Sequence, residues 1–337
     1  MKIAINGFGR IGRIFFRLAV SAKGGSVSGG NEPDFEIVAI NDLGSKDNLL
    51  YLLRHDSVYG KFEPPAGAME KIKFFQEKDP TKLPWKDLGI DVVVEATGFF
   101  ASSEKAKAHL DAGAKRVVIT APVPTSDEGA ITFTPNVGVE FFSEEGKITS
   151  NASCTTNAAT PVAAIMLKNP GIKKAILNTV HAYTATQGLV DGPADKDFTR
   201  GRAASVNIVP SHTGAALAVA KAVPELKGKF DGVAIRVPVV CGSIIDFTFV
   251  SARPTSVEEI NNILREAAKQ PEWQGILRVS EEPLVSADII ADPYGSIVDL
   301  TFTRVIDGDL VKILAWYDNE WGYCAMLIKH IRLVCQI

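Results

Sequence analysis

Apolar residues near the start of the chain follow two alternating periods. Lys2 to Asn6, Phe35 to Ile40, Asp91 to Ala96 and Arg116 to Thr120 are short apolar runs of strand length. Between the first two, Ile11, Ile14, Phe15, Leu18 and Ala19 recur at helical spacing and give one apolar face, and Ser102 to Ala112 has helical composition. Strands alternating with helices predict a parallel, doubly wound sheet. Beyond residue 150 the pattern changes. A polar stretch, Ser150 to Asn157, leads into a helix-like apolar segment from Ala158 to Leu167, in which Pro161 is expected to kink or tighten the helix. Ala175 to His181, Ile244 to Val250 and Ile297 to Val305 read as strands of a second sheet. Ser256-Val257-Glu258-Glu259 reads as a capping box opening a helix with Val257, Ile260, Leu264 and Ala267 inward.

The first strand runs into Gly7-Phe8-Gly9-Arg10-Ile11-Gly12, and a helix follows at once. This is the GxGxxG arrangement. Gly7 permits a tight turn, Gly9 lets backbone approach a pyrophosphate, and Gly12 lets the helix pack close to the strand. The helix N-terminus then offers N–H groups to an anion. The second strand ends at Asp42, which can accept hydrogen bonds from an adenosine ribose and would repel a 2′-phosphate, favouring NAD over NADP. The alternative is a strand-end aspartate capping a turn. Asp42 stands 30 positions after Gly12, beyond the roughly 20 of the motif. The Gly- and Ser-rich stretch 23–31 accounts for the excess as a surface loop. Thr97-Gly98 and Thr120 also lie at strand ends, so four strand ends converge on one crevice.

Composition narrows the function classes. The chain has 337 residues, 46% hydrophobic and 22% charged, with 36 Lys and Arg against 39 Asp and Glu, a net charge of −3. That balance gives no reason to expect nucleic acid or an anionic membrane as the main partner. No apolar run approaches the roughly 20 residues that cross a bilayer, and the N-terminus turns polar too soon for a signal peptide. A cytoplasmic location is the expectation. The four cysteines, Cys154, Cys241, Cys324 and Cys335, form no CxxC pair, so neither a metal site nor a disulfide framework is expected.

One cysteine sits in a setting suited to nucleophilic chemistry. Ser153 is a good N-cap and would put Cys154 in the first turn of the helix. The positive end of the helix dipole is expected to lower its pKa from about 8.5 toward neutrality. A thiolate nucleophile also needs a base or cationic partner. Of five histidines, His181 stands out at the end of a strand that opens into Ala182-Tyr183-Thr184-Ala185-Thr186-Gln187. A structural histidine is the alternative, and sequence alone does not join the two residues.

Ser150-Asn151-Ala152-Ser153-Cys154-Thr155-Thr156-Asn157 resembles the active-site signature of the phosphorylating glyceraldehyde-3-phosphate dehydrogenases. The resemblance continues through Asn6 to Arg13, His181 to Gln187, Asp191-Gly192-Pro193, Thr213 to Ala216, Ile235 to Pro238 and Trp316 to Tyr323, in the family's order and spacing. It implies an α/β plus α+β chain. An N-terminal Rossmann-type, doubly wound NAD-binding domain would cover residues 1–151. A catalytic domain with a mixed or antiparallel sheet would cover 152–319, and the C-terminal helix, 320–337, would pack back on the first domain.

The resemblance also implies roles. Cys154 would form a thiohemiacetal and then an acyl thioester, with His181 as base. The backbone N–H of Cys154 and the protonated imidazole would stabilise the oxyanion. Gly7, Gly9, Arg10, Ile11, Gly12, Asp42, Lys78, Thr97 and Thr120 would hold NAD, and Asn319 its carboxamide. Thr184 and Arg236 would take the substrate phosphate; Ser153, Thr213 and Gly214, with Arg200, would take inorganic phosphate. Thr155 falls in the same substrate-binding group. A buried, unpaired Arg236 would be costly, which by itself points to an anion. Substrates would be glyceraldehyde 3-phosphate and phosphate, and the assembly a homotetramer. Departures are Ala158, where the family often has a second cysteine, His212 in place of a common serine, and the atypical segment 122–136. Erythrose-4-phosphate dehydrogenase shares the motifs, whereas aspartate-semialdehyde dehydrogenase has a similar layout that fits the anion-site residues poorly. A binding protein, for RNA or protein, with a vestigial site is the reading from another class; the intact Cys154, His181 and Arg236 and the lack of a basic stripe weigh against it.

Overall fold

The computed structural model describes residues 1–21, 35–143, 145–194 and 197–336; the loop expected at 23–31 lies outside them. Two compact units result. One comprises Met1–Ser153 with the chain from Cys324 onward, the other Cys154–Tyr323.

The first unit is built on β1 (Lys2–Asn6), α1 (Arg10–Val20), β2 (Glu36–Asn41), β3 (Lys73–Phe75), β4 (Val92–Glu95), α2 (Ser103–Asp111), β5 (Arg116–Ile119), β6 (Ile131–Thr132) and β7 (Ile148–Ser150). The strands form one sheet in the order β3-β2-β1-β4-β5-β7-β6, every pairing parallel. The chain winds outward both ways from β1, so the order reverses between β1 and β4, the place where such sheets bind ligands. Ile3, Ala4, Ile5, Val92, Val93, Val94, Val117 and Val118 are buried without alternation, as expected of a parallel sheet covered on both faces. Ser102 caps α2, its hydroxyl accepting from Lys105 N–H at 3.3 Å.

The second unit contains α3 (Cys154–Lys168), β8 (Ile172–Ala182), β9 (Val209–His212), α4 (Ala215–Ala222), β10 (Phe230–Val237), β11 (Ser243–Ser251), α5 (Val257–Lys269), β12 (Leu277–Ser280), β13 (Ser296–Ile306), β14 (Leu310–Tyr317) and the start of α6 (Trp321–Gln336). Its sheet runs β9-β10-β8-β11-β14-β13-β12. It is mixed, with β8–β10 and β12–β13 parallel and the other pairs antiparallel. α3 packs on β8, β11, β13 and β14. It runs unbroken through Pro161, although proline cannot donate to the Asn157 carbonyl; burial on nearly every side of α3 holds it. Only half of the expected capping box forms on α5. Ser256 Oγ accepts from Glu259 N–H at 3.2 Å, while the Glu259 carboxylate turns to Arg253 and Thr255. Ile260 and Leu264 are buried and Ala267 is half-buried, but Val257, at the first position of the helix with no turn before it to cover it, is exposed rather than inward.

Candidate active site

Strand alternation selects the side chains that face α3. On β8 these are Leu177, Thr179 and His181, and the parallel register sets Ala234 beside Thr179 and Arg236 beside His181 on β10. Cys154 is the first residue of α3, and its Sγ lies 3.3 Å from His181 Nε2. His181 Nδ1 is 2.6 Å from the Ala182 carbonyl oxygen. The Ala182 carbonyl can only accept and favours a proton on Nδ1, the tautomer in which the Nε2 lone pair faces the thiol; the donor-only Arg236 Nη1 opposes it. Arg236 Nη1 donates to the same carbonyl at 3.1 Å and lies 2.8 Å from Nδ1, setting its charge against the ring.

These surroundings decide protonation. Burial, and then Arg236, depress His181 to about 3. Burial also pushes the Cys154 thiol up, against the opposing pull of Arg236 and of the N–H groups of Cys154 and Thr155. This corrects the expectation that the helix terminus would lower it, because removing a thiolate from water outweighs the few dipoles offered in return. The resting pair is therefore a neutral thiol beside a neutral imidazole, aligned for proton transfer when the sulfur attacks.

Other expected residues surround this pair or stand apart from it. The Thr155 hydroxyl is 2.8 Å from Tyr317 OH, which is also 2.8 Å from Thr179 Oγ1, so Thr155 is engaged in a clamp behind the sulfur. Arg236 Nε is buried and meets no acceptor among the described residues, an arrangement an anion would complete. Thr184 Oγ1 pairs with Thr186 Oγ1 at 2.9 Å. Arg200 is tied to Asp197, Ser211 Oγ and the His212 carbonyl. With Thr186 and Gly201 it lines a cleft of about 340 Å³. Thr213 Oγ1 accepts from Ala215 N–H at 3.1 Å, and exposed Gly214 precedes α4. Asn319 Oδ1 accepts from Gly242 N–H at 3.1 Å and Ser243 O–H at 3.0 Å.

The first unit meets the steric demands of a dinucleotide. Gly7 has φ +94°, and a Cβ there would stand 2.7 Å from the Ala96–Thr97 backbone. A Cβ on Gly12 would meet the Gly7 carbonyl oxygen at 2.1 Å, while Gly9 faces open space and caps α1 with no side chain. Asp42 accepts from Phe8 N–H at 2.7 Å and Gly44 N–H at 2.8 Å. It thus shapes the glycine turn as a cap, and each oxygen keeps a lone pair for a hydroxyl. Arg10 is paired with Asp56 at 2.6 Å, Ile11 is half-buried on α1, and Lys78 is exposed shortly after β3. Thr97 N–H donates to Glu95 Oε1 at 2.8 Å, and Thr120 Oγ1 to the Glu95 carbonyl at 3.0 Å. Ser153 is half-buried, immediately before α3.

Sequence reasoning missed the groups behind these strand ends. Trp85 Nε1 donates to His109 Nδ1 at 3.1 Å, so His109 Nε2 carries the ring proton toward Glu95 Oε2 at 3.1 Å. Asn6 Nδ2 donates to the same Oε2 at 2.6 Å, and Asn41 Nδ2 to Asn6 Oδ1 at 2.7 Å. A glutamate closing the run Val92-Val93-Val94 was the available signal. Thr186, Tyr317 and Ser243 were also missed as site residues; the first two lie inside segments that resemble the family, and nothing local marks Ser243.

Residues 1–103 match the family model described as "Glyceraldehyde 3-phosphate dehydrogenase, NAD binding domain". Residues 153–319 match "Glyceraldehyde 3-phosphate dehydrogenase, C-terminal domain". The chain is 46% identical over 345 residues to the glyceraldehyde-3-phosphate dehydrogenase of Mycolicibacterium smegmatis, covering 99% of this chain and 98% of that one. It is 44% identical to the proteins of that name from Mycobacterium tuberculosis, over 99% of this chain and 98% of that one, and from Clostridium pasteurianum, over 100% and 99%.

Proposed function

Because this chain belongs to the glyceraldehyde-3-phosphate dehydrogenase family, we propose that it oxidises D-glyceraldehyde 3-phosphate to 1,3-bisphosphoglycerate, with NAD as cofactor and inorganic phosphate as co-substrate. The observation that carries the mechanism is the 3.3 Å approach of Cys154 Sγ to His181 Nε2. Cys154 attacks the aldehyde carbon and gives its proton to His181, forming a thiohemiacetal. The Cys154 N–H and the imidazolium face the developing oxyanion. NAD, when bound, accepts the hydride. The imidazolium returns its proton to the oxyanion, giving the thiohemiacetal hydroxyl; as the hydride leaves, His181 takes that proton back and an acyl thioester remains. Phosphate then attacks the acyl carbon, releasing the acyl phosphate and the Cys154 thiolate, which His181 reprotonates.

The remaining roles are those the family resemblance implies, and the chemistry of the groups supports them. Arg236, with its unmet Nε, and Thr184 with Thr186 take the substrate phosphate. Ser153, Thr213 and Gly214, with Arg200, take inorganic phosphate. Gly7, Gly9, Arg10, Ile11, Gly12, Asp42, Lys78, Thr97 and Thr120 hold NAD, and Asn319 its carboxamide. A homotetramer is the assembly the family resemblance implies, and exposed apolar side chains support a self-contact. Ile176 and Val233 are 56% and 50% exposed on the sheet face away from α3, and Leu189 and Phe198 are 76% and 83% exposed. Among the described residues no helix is long and apolar enough to cross a membrane, and we place the enzyme in the cytoplasm.

The test is NADH formation with aldehyde, with and without phosphate, and with NADP as control. Phosphate-dependent turnover with NAD is expected, and Cys154→Ser should abolish it while NAD still binds. Substantial turnover in that variant would remove the mechanism. Faster oxidation of erythrose 4-phosphate, independent of phosphate, would reassign the substrate.

A further inference from the structure

Ser243 begins β11 and is buried, 1% exposed. Its hydroxyl has two neighbours whose chemistry fixes its direction. Ala182 N–H, an obligate donor, points at Ser243 Oγ from 3.1 Å. The hydroxyl proton is therefore free for the other neighbour, Asn319 Oδ1, at 3.0 Å. Gly242 N–H, also an obligate donor, meets the same Oδ1 at 3.1 Å. Two donors on one atom identify it as oxygen and leave the NH₂ group on the other side of the amide. Asn319 Nδ2 has no protein acceptor among the described residues.

Ala182 is also the residue whose carbonyl holds His181 Nδ1. One hydroxyl thus connects the backbone that orients the base to the amide whose donor remains open. We propose that Ser243 is a positioning residue, fixing Asn319 with Nδ2 presented to the carboxamide oxygen of the cofactor and coupling that amide to the His181 strand end. The proposal rests on the reading of Asn319 as the carboxamide holder.

A purely structural serine and a positioning serine differ in one measurement. The locked Nδ2 donor distinguishes NAD from its thionicotinamide analogue, whose sulfur is a poor acceptor. Removing the hydroxyl leaves Asn319 held by Gly242 alone, so the donor is less well aimed. Equilibrium binding of NAD and of the thio analogue to the protein, by calorimetry without substrate, reads this directly. Ser243→Ala should weaken NAD by about five-fold, the worth of one neutral hydrogen bond. The analogue should hardly change, so the preference for NAD shrinks. Ser243→Cys, which keeps the shape and has only a weak donor, should behave the same way and serves if the alanine variant does not fold. In an Asn319→Ala background, adding Ser243→Ala should change the preference no further. Equal weakening of both ligands by the Ser243 variants would overturn the positioning role. An Asn319→Ala protein that kept the full preference would instead overturn the role of Asn319.

Discussion

Replacing His330 by phenylalanine should make the protein less sensitive to acid. His330 lies on α6, fully buried, stacked on Phe133 with ring centroids 4.0 Å apart, and it shares a 2.8 Å hydrogen bond with Thr149. Burial depresses it from 6.5 to about 3. The unfolded chain therefore binds a proton that the folded one refuses throughout that interval. Stability is complete above pH 6.5 and falls as pH drops toward 3. At pH 5 the unfolded state is 1.5 units below its own pKa, and at about 1.4 kcal/mol per unit the loss is about 2 kcal/mol. Phenylalanine keeps the stack, removes the titration and leaves the Thr149 hydroxyl unmet, a cost of about 1–3 kcal/mol at every pH. Denaturant unfolding of both proteins at pH 7.5 and pH 5 is the assay. His181 titrates alike in both and cancels from the difference. Wild-type protein should lead at pH 7.5, and the lead should shrink by about 2 kcal/mol at pH 5. A lead independent of pH would refute the reasoning.

Gly12→Ala would press a Cβ to 2.1 Å from the Gly7 carbonyl oxygen, so calorimetry should show NAD binding lost; near-normal affinity would show that the turn yields. Tyr317→Phe removes the hydroxyl shared by Thr155 and Thr179 and should cost about 1–3 kcal/mol in unfolding free energy; an unchanged midpoint would mean the two threonines re-pair without loss. Arg236→Leu should raise KM for the phosphorylated aldehyde by about 10- to 100-fold, as for a charged hydrogen bond, and affect unphosphorylated glyceraldehyde far less. Equal effects on both substrates would assign Arg236 to its contacts with the Ala182 carbonyl and the His181 ring alone.

The strand–turn–helix of Lys2 to Val20 was legible because each step is local: an apolar run, three glycines, then helical spacing. The meeting of Cys154 with His181 was not, since it depends on the inward parity of β8 and on α3 lying across that strand, both set by packing far along the chain. The direction of the Cys154 shift was misjudged for the same reason. A helix terminus is visible in sequence, whereas the burial that opposes it belongs to the folded unit. Ser243 carried no local mark at all, because its two partners stand 61 and 76 positions away.

The polar cluster under the first sheet has an evolutionary corollary. Trp85, His109, Glu95, Asn6 and Asn41 are buried, and each hydrogen bond fixes the direction of the next. A single exchange, such as Trp85 to phenylalanine, strips His109 of the donor that sets its tautomer and disturbs the ring's approach to Glu95. Each exchange there leaves a buried donor or acceptor unmet until its partner changes too, at about 1–3 kcal/mol apiece, whereas an exposed loop residue carries no such dependence.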